Sequence, residues 1–124
     1  MGGSELIGKE EKEALAEVID RGGIILRYGF ADKRKEIFKV AEFEAKIADY
    51  MGARYALGVS SGSASVRVAL AAAEIGPGDE VITQAFTFVA TIEAILESGA
   101  TPVIAEVDDS LNLDPEDFKS KITD

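Results

Sequence analysis

The chain has 124 residues, 47% of them apolar, with thirteen basic against twenty-three acidic side chains and a net charge of −10. That is one domain's worth of ordinary globular composition, which argues against wholesale disorder, and the acidic balance argues against binding nucleic-acid backbones. Neither cysteine nor histidine occurs, so a disulfide framework, a thiolate metal site and the usual imidazole base are excluded.

The start, Met1-Gly2-Gly3-Ser4, lacks the basic and apolar parts of a signal peptide, and Leu6 stands where a myristoylation motif needs Ser or Thr. No stretch approaches the length of a membrane span. A soluble, cytoplasmic chain with no membrane or nucleic-acid partner is expected. Ser4 followed by early glutamates and then Leu15, Val18 and Ile19 predicts an amphipathic helix that ends at Gly22-Gly23. The apolar segment from Ile24 to Phe30 reads as an ordered loop or short strand. A sharper alternative makes it a loop that turns Arg27 and Tyr28 toward a substrate or a partner subunit. The charge run from Asp32 to Glu36 reads as a solvated turn. A second helix carries Val40, Phe43, Ile47, Tyr50 and Met51 on one face, with Gly52 as its C-terminal cap. Residues 1–52 are thus expected to form a helical segment.

From residue 53 to 124 the rhythm becomes strand and helix in alternation. Strands are predicted near 54–59, 80–83 and 101–106, with helices near 63–75 and 87–98, which makes an α/β fold of βαβ units on a parallel sheet. Ligands on such sheets sit beyond the carboxyl ends of the strands. Three loops fall there: Ser60-Ser61-Gly62-Ser63-Ala64, Phe86 to Thr91, and Glu106-Val107-Asp108. The first is built to cradle a phosphate, because the leading amides of the helix it opens lack internal partners and small side chains let the backbone approach. It is neither a Walker loop nor GxGxxG, and such turns also occur without any ligand. Phe86 and Phe88 fit either a core or a platform for a ring. Asp108 to Asp114 only superficially suggests a calcium loop, since Leu113 replaces the needed glycine and Lys119 the bidentate glutamate. No metal site is expected. Asp114 and Pro115 instead read as the cap and first residue of a last helix.

Four blocks in order, Val59 to Ala64, Gly76-Pro77-Gly78-Asp79-Glu80-Val81-Ile82, Phe86 to Thr91 and Gly99-Ala100-Thr101-Pro102-Val103, resemble the DegT/StrS family. These are pyridoxal-phosphate-dependent aminotransferases of fold type I that act on keto sugars, often nucleotide-linked. The resemblance implies that residues 53–124 are the first βαβαβ part of an incomplete large domain, preceded by two N-terminal helices. It implies further that Gly62, Ser63 and Ala64 hold the phosphate of pyridoxal 5'-phosphate, with Ser63 where threonine is common, and that Phe88 stacks on the pyridine ring. Arg67 receives no role. The Arg27-Tyr28-Gly29-Phe30 insert looks like that of members acting on eight-carbon sugar acids. The family's cofactor-binding lysine, its pyridinium aspartate and a further phosphate-binding serine fall beyond residue 124, so no catalytic residue is expected in this chain. The expectation is the N-terminal part of an enzyme that takes an amino group from an amino acid to a keto sugar, for surface polysaccharide or secondary-metabolite sugars. It also implies a homo-oligomer, with the first strand at one side of the sheet and the other two at the far side. A non-catalytic phosphate- or nucleotide-binding module, or a regulatory protein, is the alternative.

Overall fold

The computed structural model describes residues 3–123. Contacts divide it into two compact units, Met1–Gly58 and Val59–Asp124.

In the first unit, a single helical turn at Ser4–Leu6 precedes α1 (Lys9–Asp20). Ser4 does not cap α1. The helix starts where the Gly8 amide donates to Glu11 Oε2 at 2.6 Å. This contact is the main cause of a Glu11 carboxyl pKa held below the ordinary glutamate value. The predicted Gly22-Gly23 stop forms as a paired C-terminal cap: Gly22 N–H donates to the Ile19 carbonyl and Gly23 N–H to that of Val18. Gly52 ends α2 (Lys39–Met51) in the same way, with its φ at 64°. Between these helices, residues 24–30 form a loop, and the charge run makes one helical turn at Asp32–Arg34. That run is not wholly solvated as expected. Arg34 is buried, its Nη2 donating to the Leu26 carbonyl at 2.8 Å and its guanidinium lying 4.8 Å from the centroid of the Phe38 ring. A long side chain with an apolar stem can fold under its own turn in this way.

The strand expected near 54–59 does not form. Its backbone groups make no backbone–backbone hydrogen bond among the described residues, and an isolated extended segment is not a strand until another strand pairs with it. The segment is fixed by a side chain instead: Gly58 N–H donates to Glu44 Oε1 of α2 at 2.7 Å.

The second unit contains α3 (Gly62–Ala72), β1 (Glu80–Gln84), α4 (Val89–Ser98), β2 (Thr101–Ala105) and α5 (Pro115–Ser120). β1 and β2 pair in parallel, from Glu80 opposite Thr101 to Gln84 opposite Ala105. α4 is the crossover between them, and it packs on both strands and on α3. Ala90, Ala94, Ile95, Ala100 and Ala105 are the buried residues at this centre. The small alanine side chains let the helix approach the strands, and Ile95 fills the space between them. α3 stops at Ala72, short of the predicted 75, because Glu74 turns left-handed and the Glu74 and Ile75 amides cap the Ala71 and Leu70 carbonyls. Asp114 caps α5 as expected, accepting from the Glu116 and Asp117 amides, with Pro115 at the first helical position. Among the described residues no helix is long and apolar enough to cross a membrane.

Two glycines make opposite demands. Gly99 has φ 86°, and a Cβ there would stand 2.9 Å from Pro77 Cγ, whereas a Cβ on Gly62 meets nothing within 4 Å. Gly99→Ala is expected to lower stability by at least about 1–2 kcal/mol from left-handed strain alone. Gly62→Ala should raise it by about 0.4–1 kcal/mol through the unfolded state. Urea denaturation followed by circular dichroism checks the opposite signs.

Candidate cofactor-phosphate site

α3 begins among small residues because Ser61 stops the preceding segment in an extended conformation and caps the helix. Its Oγ accepts the Ala64 amide at 3.1 Å, and its carbonyl accepts Ser65 N–H at 3.0 Å. Two leading amides, of Gly62 and Ser63, have no acceptor among the described residues, and the Ser63 hydroxyl makes no hydrogen bond there either. Of the three positions expected to hold a phosphate, Gly62 and Ser63 therefore present free donors. The Ala64 amide is already engaged by Ser61, and an anion would have to displace or share that bond. The helix dipole adds its positive end at the same place. Ser65 is turned away, its Oγ donating to the Gly62 carbonyl.

Phe88 is the last residue before α4, with extended φ and ψ, and its ring is 75% exposed; Phe86 is exposed as well. Neither ring is in the core. Phe88 sits just past the carboxyl end of β1, where Ala85 N–H donates to the Ala105 carbonyl and continues the pairing to the rim. The third expected loop closes on itself. Glu106 N–H is taken by Asp117 Oδ2 at 2.8 Å, and Asp108 accepts from the backbone amide and the hydroxyl of Ser110. The Ser110 hydroxyl is the main cause of an Asp108 pKa below the ordinary aspartate value. Ser63 and Phe88 thus open two helices packed on each other in one unit, and Arg67 of α3 pairs with Glu97 of α4 across that contact.

Arg27 and Tyr28 belong to the other unit. Tyr28 is 79% exposed, but Arg27 is engaged in an ion pair with Glu44. Glu44 is the residue that sequence reasoning missed: it links the Arg27 loop and the Gly58 amide, residues far apart in the chain, and nothing in its helical pattern marks it out. The Ser61 cap also went unread, although a serine directly before a helical run is its usual signal.

A parallel βαβ unit with helices packed on it makes this an α/β protein, with the open amides at the N-terminus of one helix. Residues 6–124 match the DegT/DnrJ/EryC1/StrS aminotransferase family, and the chain belongs to it. It is 40% identical over 119 residues to the spore coat polysaccharide biosynthesis protein SpsC of Bacillus subtilis (strain 168), covering 95% of this chain and 28% of that protein. It is 39% identical over 116 residues to the dTDP-3-amino-3,6-dideoxy-alpha-D-galactopyranose transaminase of Aneurinibacillus thermoaerophilus, covering 93% and 29%. Among solved structures it resembles S. venezuelae DesV in complex with a ketimine intermediate, with TM-score 0.78, 36% identity and coverage of 92% and 28%. It also resembles E. coli GDP-4-keto-6-deoxy-D-mannose-3-dehydratase with bound hydrated PLP, with TM-score 0.72, 27% identity and coverage of 95% and 30%. The chain spans under a third of the length of these relatives.

Glu44 gives a pH dependence of known sign. Its carboxyl pKa is held below the ordinary value, first by the Gly58 amide and then by Arg27. A carboxyl lowered by folding contributes stability that is present above its unfolded pKa and is lost as pH falls through the folded one. The Gly58 amide signal in an NMR titration is expected to move as acid protonates Glu44. In Glu44→Gln it should stay flat over the same acid range, and an equal titration in that variant would reject the link.

Proposed function

We propose that this chain is the cofactor-phosphate-binding N-terminal part of a pyridoxal-phosphate-dependent aminotransferase. The enzyme would pass an amino group from an amino acid to a keto sugar, nucleotide-linked or a sugar acid, for polysaccharide or secondary-metabolite sugars, in the cytoplasm. The observation that carries this reading is the set of unpartnered donors, the Gly62 and Ser63 amides and the Ser63 hydroxyl, at the start of α3 in a chain of this family. When bound, the cofactor supplies an electron sink. The Gly62 and Ser63 donors would hold and orient its phosphate, which needs no basic side chain in a chain of net charge −10. Phe88 would cover one face of its ring, its exposure leaving that face available. No lysine occurs on α3, α4 or the turns before them, so these residues position and do not move protons.

A helix terminus at about 0.3–1 kcal/mol, a charge-assisted hydrogen bond at about 1.5–3 and ring stacking at about 0.5–1.5 would give an affinity of roughly 0.1 mM at best. The 124-residue chain is expected to bind pyridoxal phosphate weakly and reversibly in calorimetry, without transamination. Ser63→Ala should weaken that binding by about tenfold or more, and Ser60→Ala should not. Equal effects would move the site. Cofactor absorbance that survives dialysis would overturn the reading, and stabilisation by a mononucleotide but not by pyridoxal phosphate would favour a non-catalytic module.

The same reading includes a homo-oligomer. A two-stranded parallel sheet leaves both outer edges open, and Phe43, Tyr50, Met51, Leu57 and Phe88 are exposed. Light scattering coupled to size exclusion at micromolar concentration is expected to show a dimer or larger species, and a clean monomer would remove this part of the proposal.

A further inference from the structure

α4 opens against the usual preferences of a helix start. Its N-cap is Phe88, where serine, threonine, aspartate or asparagine is favoured, and Phe88 supplies no side-chain cap. The ring is exposed as well, so the position costs stability twice, in a missing cap and in apolar surface left in water. A residue that breaks local preference without a gain in packing is what a functional position looks like.

The chain around Phe88 is nevertheless held from both sides. Before it, Ala85 N–H donates to the Ala105 carbonyl at 2.8 Å, and the Gln84 side-chain amide donates to the Phe86 carbonyl at 2.5 Å. Across it, the hydroxyl oxygens of Thr87 and Thr91 lie 3.1 Å apart in a hydrogen bond that bridges Phe88, Val89 and Ala90. A helical threonine commonly turns its hydroxyl to a carbonyl one turn back; Thr91 meets a hydroxyl instead. Both threonines are half-buried, and Thr91 belongs to the helix whose Ala90, Ala94 and Ile95 are buried. Thr87 is therefore tied to a fixed body. Because both side chains are β-branched and stiff at χ1, their bond transmits that fixity to the backbone on either side of Phe88.

We propose that Thr87 and Thr91 are positioning residues for the Phe88 ring, their hydroxyl pair setting the backbone at the start of α4 so that the ring stands as a platform for the cofactor's pyridine ring. This rests on the cofactor reading above and adds to it how the platform is held. A segment that moved freely would have to be ordered at each binding event, and that cost would offset what stacking contributes.

Pyridoxine 5'-phosphate is the probe, because it carries the ring and the phosphate but no aldehyde to react with lysines. It is titrated into the ¹⁵N-labelled 124-residue chain while the Gly62 and Ser63 amides are followed by NMR, with inorganic phosphate as a parallel arm. The wild-type chain is expected to bind the pyridoxine ester about two- to tenfold more tightly than inorganic phosphate, the margin that stacking supplies. Thr87→Val, which keeps the shape and loses the hydroxyl, should lose most of that margin and leave phosphate affinity unchanged. Thr87→Ser should retain it. Thr91→Val should act as Thr87→Val does, which keeps the test informative if Thr87→Val does not fold. The double variant should be no worse than either single one, because each removes the same bond. ¹⁵N relaxation at Phe88 and Val89 should show the segment rigid in the wild type and in Thr87→Ser, and mobile in the valine variants. Equal losses of both ligands in the valine variants would show a structural role only, and an undiminished margin would show no role; either overturns the proposal. Absence of the margin in the wild type overturns it while leaving the phosphate turn, and failure of the wild type to bind either ligand overturns the cofactor reading with it.

Discussion

Parallel pairing of β1 with β2 is the constraint on which the second unit depends. Two strands running the same way cannot be joined by a tight turn, so the chain must leave the sheet at one end and return to the other. α4 is that return, and it packs on both strands with Ala90, Ala94 and Ile95 buried. The same requirement sends the chain past both strand ends in one direction, so Phe88 follows β1 and Glu106 follows β2 at a shared rim. The close return also explains why Gly99 stands at the junction of α4 and β2: a side chain there would strike Pro77.

In the proposed site, anion recognition would come from the backbone. A cluster of lysines would attract phosphate over longer distances, but no lysine occurs on α3 or in the turn before it, and Arg67 on that helix is occupied by Glu97. Leading amides of a capped helix act only at contact distance and are not screened in the way that exposed charges are. Ser61 has a double part in this. It terminates the incoming segment and satisfies one amide, which leaves two others directed outward.

The first unit rests on polar side chains that reach across loops more than on a large apolar centre. Glu44 gathers the Arg27 guanidinium and the Gly58 amide, and Arg34 holds the Leu26 carbonyl from below. Such contacts impose geometry on segments that carry no regular structure of their own. They also make the unit sensitive to single charges, because a buried guanidinium that loses its acceptor is costly.

Local signals in the sequence determined the elements whose causes are local. Glycines at 22 and 52 ended helices, Asp114 with Pro115 began one, and the small-residue turn marked where α3 opens. The parallel α/β class followed from alternation alone, and the ordered blocks from Val59 to Val103 pointed to the family that the whole match then established. Tertiary structure alone decided the rest. Whether residues 54–59 become a strand depends on a neighbour that no local pattern supplies. Whether Arg34 is solvated depends on the Leu26 carbonyl and the Phe38 ring that it meets. The roles of Glu44 and of the Ala64 amide likewise rest on which group arrives in space to receive a proton donor, and a one-dimensional pattern carries no record of that.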